Sequence, residues 1–543
     1  VDAQLYGRLA SAILYANPFW RANASILQRN TRGESDLWGY GISGDLPIVL
    51  VRIENRENID LVAQMMQAYA YWNMKGLAVD LIIWNEDSSV YRDSLGDRIN
   101  ELIAASVKKI SGRRVGVFVR RADQMPEEDK IFIQTAARIV ISDRRGTLAE
   151  QMEDVKYPKL APSSLIQYGE DNHQDKLKGP AERSDLVFFN GLGGFTGDGR
   201  EYIITTSALN ITPAPWVNVL ANKYFGTLIS ESGSAYTWSE NAYMFRLTPW
   251  KNDPVTDASG EAIYIRDEES NWFWSPTPLP AKGKTAYTSR HGFGYSVFEH
   301  TENGITSELT QFVSLEDTVK FSLLKIKNIS GRRRSLSVSV YYELVMGVLR
   351  DKYHMHIVTE VDPKSGVLFA RNPFNKEFSN RVVFLDTNEA ARFITGDRLE
   401  FIGRNGTMAS PYAMQQEELS GKVGAGMDPC AATQIKIELA DGEQKEVVFT
   451  FGSGMSPEDA RNLALRFNNI EAVHYELSRV WEYWKRTLGI VYVETPDTSL
   501  NFLVNGWLQY QIISCRLMAR SGFYQSSGAF GFRDQLQDVM ALI

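Results

Sequence analysis

The 543-residue sequence predicts a multidomain fold with an α/β amino-terminal domain, a large antiparallel β-sandwich and a helical carboxy-terminal region. Strand-like and helix-like segments alternate over the first ~145 residues, which indicates an α/β layer. From Asp185 to about Phe451 the segments are short, aromatic and β-branched, which is typical of a sandwich. From Pro457 the apolar residues recur with a helical period. A prior of ~150 residues per domain agrees with three or four units.

The α/β domain is expected over residues 1–150, with residues 5–30 forming a helix ahead of a small parallel or mixed sheet. Residues 47–53 are apolar and β-branched, as a buried strand should be. Residues 58–75 have apolar side chains at helical spacing, and Gly76 follows as a stop signal. The other predicted elements are strands at 77–84, 115–119 and 139–141 and helices at 95–108 and 127–137.

The β-sandwich is expected over residues 186–455, after a polar, proline-containing linker at residues 151–185. Residues 318–327 alternate apolar and polar side chains for most of their length, which favours a strand with one buried face. Further strands are predicted at 202–206, 336–344 and 445–452, the last of which ends the sandwich.

Linker helices are expected over residues 456–494, at 457–468 and 470–488. The second carries a run of large apolar side chains on one side: Val473, Leu477, Val480, Trp481 and Trp484. A third helix, 498–520, opens a helical domain at residue 495. The chain opens at Val1 directly with an amphipathic segment, and its last residues have the pattern of a helix that is not finished at residue 543. We therefore expect both ends to be cuts in a longer protein.

Composition narrows the classes of function. A net charge of −8 without a long basic run argues against nucleic acid or an anionic membrane surface as the main partner. No apolar run approaches the ~20 residues that span a bilayer, so we expect this segment not to be embedded in a membrane. Two cysteines, Cys430 and Cys515, are too few for a disulfide scaffold.

The histidines His354 and His356 are the one pair with close spacing. On a strand this spacing places both on one face, but no third ligand is suggested nearby. We therefore expect an ordinary strand surface and no metal site.

The stretch from Arg520 to Asp538 concentrates the residue types that bind sugars. Aromatic rings cover the apolar face of a sugar, charged and amide groups hold its hydroxyls, and glycines let the backbone approach closely. The alternative is a glycine-rich turn between helices with a surface ion pair. The candidate substrate-binding residues are Asp534, Arg533, Phe532, Gln537, Asp538, Tyr524, Gln525 and Arg520.

Three predicted sandwich loops, at residues 236–241, 271–276 and 287–295, are also both aromatic and polar. They could bind a carbohydrate, and ordinary sheet packing is the alternative. Their candidate contacts are Trp238, Arg290, His291 and Tyr295. Residues 37–46, which include Asp45, could form a site, although a structural turn before the strand is favoured.

Several motifs resemble glycoside hydrolase family 94, the family of cellobiose, chitobiose and related phosphorylases. Asn505-Gly-Trp-Leu-Gln-Tyr-Gln and Gly528-Ala-Phe-Gly-Phe-Arg-Asp-Gln-Leu-Gln-Asp resemble the start of its (α/α)6 barrel. Phe188-Phe-Asn-Gly-Leu-Gly-Gly-Phe and Arg290-His-Gly-Phe-Gly-Tyr-Ser resemble its β-sandwich. The sequences of these motifs are most similar to the carboxy-terminal region of the cyclic β-1,2-glucan synthases. Residues 37–48 and 71–77 resemble the segment just before that region. The resemblance covers nearly the whole chain.

The resemblance implies roles for individual residues. The aspartate of the family's Phe-Arg-Asp motif, Asp534 here, holds the glucosyl unit at subsite −1, with Arg533 beside it. Family phosphorylases often carry arginine where this sequence has Ala529, so recognition of phosphate or sugar could differ. The family's general acid lies in a downstream Trp-Asn-Asp motif, which implies that no catalytic residue lies in this chain. The similar Trp84-Asn-Glu-Asp belongs to the first domain and is not expected to be catalytic.

The resemblance also implies inverting phosphorolysis of β-1,2-linked β-glucan, with inorganic phosphate as co-substrate, glucose 1-phosphate as product and no cofactor. It further implies a membrane-anchored parent at the cytoplasmic face of the bacterial inner membrane. Without the general acid, which is typically worth ~100- to 10,000-fold in rate, this segment should be inactive alone. Two alternatives stay open: a stand-alone β-glucoside phosphorylase, and a glucan-binding module without catalysis.

Overall fold

The computed structural model describes residues 2–87, 94–107, 116–154, 183–208, 210–529 and 531–542. The chain falls into two compact units. The first comprises residues 1–164 with two short segments, 372–379 and 424–427, and the second comprises the remainder. Most of the predicted linker, residues 155–182, lies outside the described residues.

The first unit is built on a four-stranded parallel sheet in the order β3-β2-β1-β4. The strands are β1 (Ile48–Ile53), β2 (Asp80–Asn85), β3 (Val117–Arg121) and β4 (Ala137–Ser142). The connecting helices are α3 (Ile59–Met74), α4 (Ser94–Val107) and α5 (Glu127–Ala136). Both faces of β1 and β2 are buried, which explains their nearly continuous apolar sequence. The predicted α/β layer is confirmed.

The prediction of one helix over residues 5–30 is wrong. Helix α1 (Asp2–Tyr15) ends before Ala16, which has a left-handed φ of 46°. The side chain of Asn17 then accepts a hydrogen bond from the Phe19 amide and caps a short 3-10 turn. Because Pro18 lacks an amide proton and its ring clashes with a preceding turn, it cannot continue the helix. The chain becomes helical again at α2 (Ala24–Gln28), and α6 (Leu148–Glu153) closes the unit.

The second unit contains three antiparallel sheets, which confirms the predicted sandwich. A ten-stranded sheet has the order β17-β18-β19-β22-β15-β14-β13-β12-β6-β5, a five-stranded sheet the order β11-β10-β16-β21-β20, and a three-stranded sheet the order β7-β8-β9. The strands are β5 (Gly193–Phe195), β6 (Glu201–Thr206), β7 (Val217–Ala221), β8 (Phe225–Ser230), β9 (Ala235–Ser239), β10 (Glu261–Asp267), β11 (Phe273–Trp274), β12 (Tyr287–Gly292), β13 (Tyr295–Glu302), β14 (Ile305–Val313), β15 (Val319–Asn328), β16 (Arg334–Glu343), β17 (Val358–Val361), β18 (Leu368–Arg371), β19 (Val382–Thr387), β20 (Arg392–Asp397), β21 (Pro429–Leu439) and β22 (Gln444–Gly454).

The expectation of a strand at His354 and His356 is also wrong. Helix α7 (Arg350–Tyr353) runs directly into a 3-10 turn at His354–His356, so the two rings do not share a strand face. His356 is buried, and the Nδ1 of His354 lies 3.0 Å from the carbonyl oxygen of Arg350. No group of three or more His, Cys, Asp or Glu arranged to hold a metal occurs within the described ranges.

Helices follow the last strand, as predicted. Helices α9 (Pro457–Arg466) and α10 (Ile470–Leu488) pack on one face of the ten-stranded sheet, with α8 (Arg398–Ile402) lying earlier in the chain. A continuous helical segment then runs from α11 (Thr498–Phe502) through α12 (Leu508–Gln511) to Ala519, with π-type turns at Leu503–Trp507 and Ile512–Ala519. Helix α13 (Phe532–Val539) follows a turn. None of the helices described is long and apolar enough to cross a membrane.

Candidate functional site

The predicted sugar-binding stretch begins with a tight turn after the long helical segment. Arg520 ends that segment in the left-handed conformation, with a φ of 52°. Ser521 and Ser526 then pair, and the Gly522 amide donates to the carbonyl oxygen of Gln525 at 2.9 Å. Tyr524 and Gln525 are exposed at the tip of this turn. We call residues 520–529 the docking turn, because its other side is bound to the sandwich.

The docking turn is anchored to the three-stranded sheet and the loop after it. Phe523 packs in the same buried cluster as Trp238, and its carbonyl oxygen accepts a hydrogen bond from the Trp250 indole at 3.0 Å. The hydroxyl groups of Tyr236 and Ser521 hydrogen-bond to each other inside the protein. The Asn241 side chain donates to the carbonyl oxygen of Gly528 at 3.3 Å. The turn is therefore held in place by buried contacts that are distant in sequence.

Helix α13 presents most of the other predicted residues to solvent. Arg533 donates to Asp534 at 3.4 Å, and their side chains are 86% and 72% exposed. Phe532 and Gln537 are also exposed. Asp538 instead pairs with Arg516 at 2.5 Å. The sequence motif thus forms an exposed strip of aromatic, guanidinium and carboxylate groups, and its binding of sugar stays a prediction.

One of the eight predicted residues is engaged with the sandwich itself. The Nη2 of Arg520 donates to the carbonyl oxygen of Glu240 at 3.2 Å. Glu240 in turn pairs with Arg381 at 2.5 Å. Arg520 therefore contributes to the anchoring of the docking turn.

Two of the predicted sandwich contacts, Trp238 and His291, are buried, which agrees with the alternative of sheet packing. Trp238 packs in the cluster beneath the docking turn. The Nδ1 of His291 lies 2.9 Å from Ser296 Oγ, and its Nε2 lies 3.1 Å from the carbonyl oxygen of Trp216. Because a carbonyl can only accept, Nε2 carries the proton and Nδ1 accepts from Ser296. Burial lowers the pKa of His291 to about 4, so the ring is neutral near pH 7.

The other two predicted contacts, Arg290 and Tyr295, line a cavity of about 970 Å³ in the second unit. We call it the sheet–helix cavity. Its walls are β6, β12, β13, β14, β15 and β22 on one side and α10, the loop after it and α11 on the other. The hydroxyl of Tyr295 donates to Glu201 Oε1 at 2.7 Å, and Arg290 Nη1 lies 3.4 Å from Glu201 Oε2. Burial, followed by the hydrogen bond to Glu201, raises the pKa of Tyr295 above its usual range.

Sequence reasoning missed the helix side of this cavity. The sequence places Trp481 with the large apolar side chains on one side of α10, yet it is 49% exposed and lines the cavity. The sequence does contain a signal for the exposure of Trp481. Val473, Leu477, Val480 and Trp484 follow the 4-3-4 spacing of one helix face. Trp481 comes one residue after Val480 and therefore lies at the edge of that face. Tyr492, also in the cavity wall, had no periodic signal because it lies in a loop.

The two remaining sequence candidates have structural roles. Trp84 is buried in β2, and Glu86, two residues further along the chain, pairs with Arg52 at 2.7 Å. In the segment 37–46, Leu37 is buried in a 3-10 turn at Glu34–Tyr40, and the amide of Asp45 donates to Ser43 Oγ. Both observations agree with the structural interpretations favoured for these segments.

Comparisons with known proteins agree with the motifs. The family described as glycosyl hydrolase 94, supersandwich domain, matches residues 200–470, and the glycosyl hydrolase 94 superfamily, catalytic domain, matches residues 483–543. Cyclic beta-(1,2)-glucan synthase NdvB of Rhizobium meliloti is 33% identical over 555 residues, covering 100% of this chain and 20% of that protein.

Two phosphorylases are also similar. N,N'-diacetylchitobiose phosphorylase of Vibrio furnissii is 26% identical over 360 residues, covering 64% of this chain and 44% of its own length. Solabiose phosphorylase of Paenibacillus borealis is 26% identical over 363 residues, covering 65% and 45%. The chain thus spans a fifth of the length of the first relative and less than half of the other two.

Proposed function

Because residues 200–470 and 483–543 belong to glycoside hydrolase family 94, we propose that this chain is the phosphorylase-like region of a cyclic β-1,2-glucan synthase. Its substrate would be β-1,2-linked glucan, and its reaction inverting phosphorolysis that controls chain length. The 33% identity to NdvB over the whole chain supports the synthase, and the matches to two phosphorylases support the reaction.

One structural observation carries the proposal. The docking turn is fixed on the sandwich by buried hydrogen bonds, while the side chains of Tyr524, Phe532, Arg533 and Asp534 point outward from it and from α13. A fixed backbone with exposed aromatic and charged groups suits the recognition of a sugar, because little ordering is needed on binding. The Asp534 carboxylate would accept hydrogen bonds from sugar hydroxyls, and charge-assisted bonds of this kind are the stronger ones.

In the proposed reaction, a phosphate oxygen attacks the anomeric carbon as the glycosidic bond breaks on the opposite face. A carboxylic acid protonates the departing oxygen, and the configuration inverts. An inverting hydrolase needs a second carboxylate to activate water, whereas phosphate is itself the nucleophile here. The residues of this chain would bind and orient the sugar, and the proton donor would come from outside residues 1–543.

The experiment uses the full-length gene product that contains residues 1–543. Incubation with β-1,2-glucan and inorganic phosphate should release glucose 1-phosphate, and residues 1–543 alone should release none. Prior dialysis against a chelator should leave the activity intact, since no metal or other cofactor is proposed. If the full-length protein releases no glucose 1-phosphate from any β-glucoside, the phosphorylase proposal is wrong.

A second candidate function, glucan binding without turnover, is favoured by one observation: the Asp534 side chain is 72% exposed. The same assay separates the two. A full-length protein that binds β-1,2-glucan yet releases no product would be a binding module. Activity confined to disaccharides would indicate a stand-alone β-glucoside phosphorylase.

The proposal extends to location. We propose that this region lies at the cytoplasmic face of the inner membrane, within a membrane-anchored parent, as the resemblance to the cyclic β-1,2-glucan synthases implies. Protease added to intact spheroplasts should then leave it uncut, and protease added to inverted membrane vesicles should digest it. Digestion in spheroplasts would contradict this location.

A further inference from the structure

The sheet–helix cavity is a second candidate ligand site, and it is separate from the strip around Asp534, which does not line it. We propose that this cavity binds a segment of a neutral oligosaccharide. Its volume of about 970 Å³ lies at the upper end of the ~300–1,000 Å³ usual for ligand pockets. That size suits several linked sugars better than one.

Exposed aromatic rings line the cavity on its helix side. Trp481 is 49% exposed, and its ring meets Tyr295 edge-on at 5.8 Å between centroids. Tyr492 is 76% exposed on the loop after α10. Aromatic rings that stay in water do not gain the free energy of burial. A ligand that covered both rings would gain it, so their presence in one cavity favours a binding site. A flat ring offers an apolar face to the C–H face of a sugar.

The loop that carries Tyr492 is held in one conformation. The side chain of Asn505 accepts from the amide of Val493 and donates to its carbonyl oxygen, both at 2.8 Å. Two residues after Val493, the backbone of Thr495 bonds in the same two-way manner to the side chain of Asn501, each time at 2.9 Å. The ring is therefore presented on a preorganised loop, which lowers the entropy cost of binding.

Polar groups face the rings from the sheet. Glu201 accepts from Tyr295 and lies beside Arg290, and Arg290 Nη2 also lies 3.3 Å from Glu299 Oε1. At the other end, His474 Nε2 lies 2.8 Å from Glu446 Oε2. Such donors and acceptors suit hydroxyl groups.

The charge of the lining indicates a neutral ligand. Five carboxylates and four lysine or arginine side chains line the cavity, several of them paired with each other. A site for a polyanion such as a sulfated or uronate-rich glycan would show an excess of basic groups. That the neutral oligosaccharide is β-1,2-glucan rests on the proposed function. The cavity would then anchor a glucan chain whose end lies elsewhere.

The test is direct binding of β-1,2-gluco-oligosaccharides to the full-length gene product, measured by calorimetry without phosphate. Trp481→Ala and Tyr492→Ala should each raise the dissociation constant by roughly tenfold, the value of a lost aromatic contact. Tyr475→Ala is the matched control, because Tyr475 is 68% exposed on the same helix and does not line the cavity. Thermal unfolding of each variant shows whether it folds.

The outcomes separate this inference from the proposed function. Binding that both cavity variants weaken and that Tyr475→Ala retains supports the cavity, whether or not the protein releases glucose 1-phosphate. Binding of neutral cello- or laminari-oligosaccharides with the same pattern supports the cavity and contradicts the β-1,2 assignment. Unchanged binding in both cavity variants, no binding of any neutral oligosaccharide, or binding of anionic glycans alone would overturn the inference.

Discussion

The guanidinium of Arg246 donates two hydrogen bonds to Ser526 Oγ, from Nε at 3.2 Å and from Nη2 at 3.1 Å, across 280 positions of sequence. The serine hydroxyl donates onward to the carbonyl oxygen of Ala242 at 2.7 Å. Arg246 also lies over the rings of Tyr243 and Trp250. Burial lowers the pKa of Arg246 from its usual value. The docking turn is thus held on the sandwich, whereas helix α13, which carries Asp534, bonds to the preceding helical segment through the pair of Asp538 and Arg516.

Removal of the Ser526 hydroxyl should loosen the docking turn. Ser526→Ala leaves two buried donors of Arg246 without their acceptor, and we expect the free energy of unfolding to fall by ~1–3 kcal/mol. Ser527→Ala is the control, because Ser527 is only half-buried and its hydroxyl donates one bond, to Arg520 at 3.2 Å. Urea unfolding and amide exchange of residues 520–529 measure the effect. Equal losses in the two variants would contradict a special role for Ser526.

Gly528 should not tolerate a side chain. Its φ is +62°, and a Cβ would lie 2.2 Å from Asn241 Oδ1, so Gly528→Ala must shift the contact with the sandwich. We expect the free energy of unfolding to fall by more than ~1 kcal/mol. At Gly522, in the same turn, a Cβ would meet nothing within 4 Å, and Gly522→Ala should change stability by less than ~0.5 kcal/mol. Thermal unfolding of both variants measures the two losses of stability. A larger loss for Gly522→Ala than for Gly528→Ala would contradict this prediction.

Asp534→Asn should reduce phosphorolysis without reducing stability. Hydrogen bonds to a charged group are worth ~1.5–3 kcal/mol, so kcat/KM should fall ~10- to 100-fold in the full-length gene product. Because the side chain is 72% exposed, Tm should not change. Glu417→Gln, at an exposed carboxylate of the sandwich, is the control and should keep full activity. A kcat/KM for Asp534→Asn equal to that of the control would remove Asp534 from the site.

His291 should make the sandwich sensitive to acid. Its pKa is about 4 when folded and 6.5 ordinarily, so between these values the unfolded chain binds the extra proton. Its contribution to stability is full above pH 6.5 and is lost as the pH falls towards 4. The stability advantage of the native protein over His291→Gln should therefore shrink by ~1–3 kcal/mol between pH 7.5 and 4.5.

The control for this pH effect is His474→Gln, at a half-exposed histidine of α10. Glu231 contacts the amide of Trp216, whose carbonyl oxygen binds His291, and burial raises the pKa of Glu231 to about 7. The titration of Glu231 therefore changes the stability with pH in the opposite direction, but it does so in both the native protein and His291→Gln. Urea unfolding at several pH values gives the difference. A pH-independent difference for His291→Gln would show that its ring titrates normally.

Much of the fold could be predicted because secondary structure leaves local signals. The strand β1 and helix α3 lie within one residue of their predicted bounds, since periodicity and the Gly76 stop signal are read from neighbouring residues. Where two local signals competed, prediction failed. The prediction of one helix over residues 5–30 crosses Pro18, and the chain leaves the helix at Ala16 because proline lacks the amide proton and its ring clashes with the preceding turn.

The candidate site was predictable only in its chemistry. The residue types around Asp534 and their family motif were visible in the sequence, but their anchoring by Arg246, Tyr236 and Trp250 was not. His291 and Arg290 are adjacent on β12, so the strand directs one into the sandwich and the other into the cavity. Which of the two is buried depends on what covers each face.

The sequence by itself determined the order of the α/β, sandwich and helical regions and the residue types available for binding, because both follow from spacing and composition, and its motifs indicated the family by resemblance. The tertiary structure alone decided that His291 and Trp238 are buried, that Trp481 and Tyr492 are left in a cavity, and that the docking turn lies on the sandwich. The physical reason is that burial and hydrogen-bond partners are set by residues that come together only on folding, some of them more than 280 positions apart.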